Sequence, residues 1–181
     1  RRCLAYAYTT RHRCLKWWAP EQGTTELKLV AFTDADHAGL THLEPESDAM
    51  ADRSIAASYF AYAGMGAAVE WRAVAIKWPT INSTESEAAA LADAHTNVMF
   101  MRDHLEALGA RQDKPTMVHS DSDPAVRNMF RFTSPVASRH LNNLLHRARY
   151  MVQEKKVDYT WVKGQHNACD FLTKRLPHRQ F

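Results

Sequence analysis

A chain of 181 residues, 45% hydrophobic and 24% charged, holds enough apolar material for one good core and has the composition of an ordinary globular domain. Its three cysteines, Cys3, Cys14 and Cys169, are far apart and odd in number, which speaks against a disulfide framework or a Cys-x-x-Cys zinc site and for a reducing compartment. No stretch reaches the roughly 18 apolar residues of a membrane span, and "RRCLAYAYTTRHRCL" has no signal-peptide core, so an intracellular domain, cytoplasmic or nuclear, is expected with no membrane partner. Net charge is only +3, yet residues 139–181 carry nine Lys/Arg against three Asp/Glu. That asymmetry fits either an anionic partner or a solvated helix face. The chain opens in mid-pattern without Met, as a piece of a longer protein would.

Residues 1–18 read as a helix-like lead-in, and a division into a connector, 1–20, and a domain, 21–181, is expected. In "LKLVAFTDADHAG", Leu27, Leu29 and Ala31 alternate with Val30 and Phe32, and Asp34 continues the second set. Both faces are apolar, which marks a central strand. After a polar stretch, "SIAASYFAYA" and "AAVEWRAVAIKW" are rich in β-branched and aromatic residues and are joined by Gly64-Met65-Gly66, a hairpin signal. From Thr84 to Gly109 the period becomes helical, with Leu91, Val98, Met101, Leu105 and Leu108 on one stripe and Gly109 as the stop. "KPTMVHSD" is a short strand, "SDPAVRNMF" a short helix, residues 138–155 a long basic helix, "VDYTWVK" the last strand and "NACDFLTKRL" a closing helix. The order predicts an α/β sandwich with a mixed sheet.

Two strands end in acid. Asp34 and Asp121 each close an apolar strand at its C-terminal end, where open α/β sheets place their sites. Glu87 lies in the first turn of the long helix and Asp170 near the start of the last, so four carboxylates can converge on one edge of the sheet. Thr84-x-x-Glu87 also has the form of a capping box. Glu87 lies close to the line through Leu91, Ala94, Val98 and Leu105, whereas Glu85 is roughly 160° away from it and reads as a solvated first-turn residue. Asp36 reads as a loop acid and Asp123 as a helix cap or turn.

These segments, in this order, resemble the ribonuclease H domain of Ty1/copia-type retrotransposon polyproteins, a branch of the ribonuclease H-like superfamily. The family's Ser/Thr-Asp-Ala-Asp strand end followed by aromatic-Ala-Gly is matched by "TDADHAG", its Lys-Ser-Thr-Ser by "RSIAASYF" and its Ala-Val-x-Trp by "AAVEW". Its Ser-Thr-Glu-Ala-Glu is matched by "STESEAAAL", its Leu-Arg-x-Leu-Leu-x-x-Leu-Gly by "FMRDHLEALG" and its Asp-Asn/Ser by "HSDSDPAV". Its Lys-His-Ile segment is similar to "SRHLNNLLHRAR", and its closing Ala-Asp-Ile-Leu-Thr-Lys-x-Leu-Pro to "ACDFLTKRLP". "LAYAYTT" is similar to the family's polymerase-to-nuclease connector. His37 stands where the family usually has Trp, and "AIKWPTINSTESE" is shorter than usual.

The resemblance implies an α/β, ribonuclease H-like fold with a five-stranded mixed sheet, its first three strands antiparallel, flanked by helices. It also implies a metal-dependent endonuclease that hydrolyses the RNA strand of RNA/DNA hybrids, with an active site of Asp34, Glu87, Asp121 and Asp170. Clustered carboxylates repel unless cations neutralise them, which suits two Mg²⁺ ions, with Mn²⁺ as a substitute. Asp34 is expected to bridge the ions, with Glu87 and Asp121 on one side and Asp170 on the other. Expected substrate contacts are Ser54, Ser58, Arg72, Arg139 and His140, with Trp71 weighed between core and contact. His166 is a possible proton shuttle, weighed against a solvated or capping role. Partners would be the hybrid and a reverse transcriptase domain or larger assembly. The alternative is a domesticated, non-catalytic copy serving as a structural or binding subunit.

Overall fold

The computed structural model describes residues 8, 11–18, 27–37, 53–131 and 139–173, apart from the side chains of residues 139–141 and 144. Five strands form one sheet: β1 (Leu29–Asp36), β2 (Ile55–Tyr62), β3 (Glu70–Ala75), β4 (Thr116–Ser120) and β5 (Val157–Trp161). Their spatial order is β3-β2-β1-β4-β5, with β1, β2 and β3 antiparallel and β4 and β5 parallel to β1. β1 is therefore central, as its two apolar faces require. Leu29 and Ala31 are buried in the main core, while Val30 and Phe32 on the other face are half-buried. The strand runs two residues past Asp34, and Asp36 is a paired strand residue opposite Ile55, where a loop acid was expected.

The hairpin between β2 and β3 turns through Gly64, whose φ of 75° is the left-handed conformation that glycine adopts without a Cβ penalty. Of the described lead-in residues, Tyr8 is helical, whereas 13–18 are not: Trp17 bridges Gly66, and Trp18 N–H donates to Met65 O at 2.9 Å. A Cβ on Gly66 would collide with the Trp18 ring, so the glycine is what lets the segment lie against the hairpin.

Helices α1 (Ser83–Ala107), α2 (Asp123–Phe130), α3 (Arg139–Gln153) and α4 (Asp170–Thr173) complete the described fold. None is long and apolar enough to cross a membrane. The stripe of α1 is buried at Leu91, Ala94, Val98 and Leu105 and seals the core with Phe60, Val118 and Val157. Leu108 does not belong to it. It is the C-cap, 81% exposed, and Gly109 at φ 80° closes a Schellman motif with Gly109 N–H to Glu106 O and Ala110 N–H to Leu105 O. The helix also starts one residue earlier than its apolar pattern. Asn82 is the N-cap and accepts from Glu85 N–H at 2.9 Å, while Glu85 Oε2 accepts from Ile81 N–H at 2.8 Å. The capping pair is Asn82 and Glu85, so Thr84 and Glu87 do not form it, and Glu85 is buried where solvation was expected. At α2 the cap is Ser122, and Asp123 is the first helical residue, paired with Arg127 at 2.8 Å. The closing helix is described only to Thr173; its expected continuation to residue 176 lies outside the described residues.

His95, on α1, is fully buried, and that burial holds its imidazole pKa below the ordinary 6.5, with the Arg147 charge acting in the same direction. A histidine with a depressed folded pKa binds fewer protons in the native than in the unfolded state. Stability should therefore fall as pH drops below about 6.5 toward the folded pKa. Melting curves from pH 8 to 5 should show this acid loss in the wild type and a shallower one in His95→Leu; identical slopes would remove His95 as the cause.

Candidate active site

β1 and β4 are adjacent and parallel, with Phe32 opposite His119, so their C-terminal ends carry Asp34 and Asp121 side by side. To one side of β1 the chain continues antiparallel and to the other parallel, and ligands of α/β sheets bind in the crevice at such a switch. Asp34 is fully buried; Glu87 and Asp121 are half-buried. One carboxylate oxygen from each of these three lies within 4.8 Å of the others. The helical phase that sets Glu87 apart from Glu85 agrees with which of the two the fold brings to Asp34 and Asp121.

Three hard oxygen donors at this spacing fit a divalent cation such as Mg²⁺ or Mn²⁺. Asp170, at the head of α4, stands outside the trio but in its neighbourhood. The buried Cys169 thiol beside it is pushed well above the usual thiol range, first by burial and then by the negative charges of Asp34, Glu87 and Asp170.

The segment that carries Asp170 also holds the strand tips. Thr173 donates its hydroxyl to Asp34 Oδ2 and lies 3.2 Å from Asp170 O. Asn167 Nδ2 donates to Thr33 O at 2.8 Å and lies 3.5 Å from Asp121 Oδ1. Trp161 Nε1 donates to Asp121 O at 2.9 Å. Gly164 passes so close that a Cβ there would sit 3.2 Å from Asp121 Oδ2. Asn167, Thr173 and Trp161 were not anticipated as site residues. Thr173 was visible within "DFLTK", but an isolated asparagine with a long-range partner leaves no periodic trace.

The expected substrate contacts divide. Ser54 and Ser58 are buried; the Ser54 hydroxyl lies 2.6 Å from Thr80 Oγ1 and 3.3 Å from His37 Nδ1, so as placed these serines do not present a surface to a polymer. Arg72 is partly exposed and faces Asp93 at 3.7 Å. Trp71 is 55% exposed, because it lies on an edge strand and has no core to enter. Arg139 and His140 open α3, and their side chains lie outside the described ones. His166 is exposed in the turn Gly164–His166, with Nε2 3.1 Å from Gln165 Nε2.

No protein-family model matches the chain. Over 178 residues, 98% of its length, the chain is 24% identical to the retrovirus-related Pol polyprotein from transposon TNT 1-94 of Nicotiana tabacum, of which it spans 12%. Among solved structures it is similar to LC11-RNase H1 in complex with an RNA/DNA hybrid (TM-score 0.55, 16% identity, 80% of this chain and 93% of that one). It is also similar to the N-terminal RNase H domain of a Mycobacterium tuberculosis protein (TM-score 0.53, 19% identity, 82% and 91%) and to a foamy viral protease-reverse transcriptase in complex with double-stranded DNA (TM-score 0.53, 13% identity, 82% and 92%). The match to this Pol polyprotein and the similarity in fold to solved ribonuclease H structures both agree with the motif resemblance to copia-type ribonuclease H domains.

Proposed function

We propose that this domain is a metal-dependent endonuclease that hydrolyses the RNA strand of RNA/DNA hybrids, working as part of, or derived from, a copia-type Pol polyprotein. The observation that carries the reading is the trio of Asp34, Glu87 and Asp121 oxygens, which meet where the tips of two parallel strands face the start of α1. Asp34, Glu87, Asp121 and Asp170 would together hold the Mg²⁺ or Mn²⁺ ions. When bound, such ions supply an activated water and stabilise the leaving 3′-oxygen of a phosphodiester.

The chain's own part is positioning. Strand tips and helix starts fix the carboxylates before substrate arrives, and Thr173 and Asn167 orient two of them through hydrogen bonds. Arg72, Arg139 and His140 are proposed to meet the phosphates of the hybrid, and His166, exposed near Asp170, to exchange protons with solvent. Residues 1–20 are proposed as the connector to a preceding polymerase domain.

Incubation of the chain with a labelled RNA/DNA hybrid in millimolar Mg²⁺ or Mn²⁺ should release RNA fragments, with double-stranded DNA left intact and chelator abolishing the reaction. A cation-binding chain that leaves the hybrid whole would favour the non-catalytic subunit.

A further inference from the structure

Asn167 sits where three parts of the candidate site meet. Its side chain is buried, donates to Thr33 O at 2.8 Å, lies 3.5 Å from Asp121 Oδ1 and accepts from Cys169 N–H at 3.1 Å. Thr33 immediately precedes Asp34, and Cys169 immediately precedes Asp170. One amide therefore joins the backbone at the β1 tip, the carboxylate at the β4 tip and the backbone that leads into α4.

We infer that Asn167 is a positioning residue for the cation site, setting the place of Asp170 relative to Asp34 and Asp121 and orienting the Asp121 carboxylate. The inference rests on the nuclease reading above. Its chemistry is specific to an amide. Thr33 O and Asp121 Oδ1 need a donor, Cys169 N–H needs an acceptor, and the asparagine amide offers both on one rigid plane. An aspartate would keep the acceptor and the volume but turn a negative oxygen toward a carbonyl and a second carboxylate. An alanine would leave a buried carbonyl and a buried N–H without this partner. Thr173 acts in parallel on Asp34, so the two strand-tip acids are each held by a donor from the segment that brings the fourth acid.

The test compares wild type, Asn167→Asp and Asn167→Ala as the full chain, by Mn²⁺ titration of the melting temperature and by steady-state cleavage of a labelled RNA/DNA hybrid. In the variants the Mn²⁺ concentration for the half-maximal melting shift should rise at least about 10-fold, and kcat should fall about 10- to 100-fold with KM within about twofold. A purely structural asparagine would lower the melting temperature without moving the Mn²⁺ midpoint or the kcat of folded protein. Should Asn167→Ala fail to fold, Asn167→Asp decides. If it folds with wild-type kcat and an unmoved or lowered Mn²⁺ midpoint, the positioning role is overturned while the nuclease reading stands. A wild type that neither cuts the hybrid nor gains stability from Mn²⁺ overturns the nuclease reading and this inference with it.

Discussion

Asp34→Asn should lower turnover of an RNA/DNA hybrid by roughly a thousandfold or more, about 4 kcal/mol of barrier, without lowering the melting temperature of the cation-free protein. The two halves of this expectation have different causes. Activity is expected to depend on Asp34 because it is the fully buried member of the trio that would hold the cations. Stability does not, because an asparagine keeps the oxygen that accepts from Thr173 and removes one of three negative charges whose oxygens crowd within 4.8 Å. A cation that binds only the native state adds RT ln(1 + [L]/Kd), about 2.7 kcal/mol at a hundred times Kd, and this gain should shrink in the variant. Cleavage and melting followed in one Mg²⁺ titration give both numbers; wild-type turnover would remove Asp34 from the site.

The second large effect separates two glutamates two residues apart. Glu87→Gln should reduce turnover at least about a hundredfold with little change in cation-free stability, since it removes a ligand charge. Glu85→Ala should leave turnover intact and cost about 1 kcal/mol of stability, because it takes away the acceptor of Ile81 N–H at the start of α1. Denaturant melts and kcat on both variants check this. A Glu85 variant that is stable but inactive would exchange the assignments.

The doublet also shows where the sequence was readable. Glu87 could be placed on the face toward the sheet because it lies in phase with Leu91, Ala94 and Val98, and a period of 3.6 carries that phase through the helix. Glu85 was misread for a local reason. Both Asn82 and Thr84 can cap, apolar periodicity begins only downstream of either, and nothing in the pattern says which side chain the first turn uses. β1 was legible through its two apolar faces, though its end was not: acid at Asp34 and Asp36 looks like the end of a strand, yet pairing with β2 continues through Asp36. Trp71 and residues 13–18 were not legible for another reason. An edge strand leaves large apolar residues exposed, and a segment held by backbone bonds to a hairpin needs no side-chain periodicity. Asn167 was invisible because its partners are tertiary.

The contacts that close the site join Asn167 to Thr33 across 134 positions and Thr173 to Asp34 across 139. The hairpin of β2 and β3 forms from neighbours in the chain, and β1 joins it early in sequence. Parallel pairing of β1 with β4 closes a loop that contains β2, β3 and the whole of α1. The last segment closes the longest loops of all, at the highest entropic cost and with the least influence on how the rest nucleates. During synthesis the sheet can therefore begin to assemble well before any carboxylate cluster exists. A chain released short of Asn167 would be a strand-paired fragment without the donors that hold Asp34 and Asp121 and without Asp170, so the full carboxylate cluster waits for the segment that follows β5.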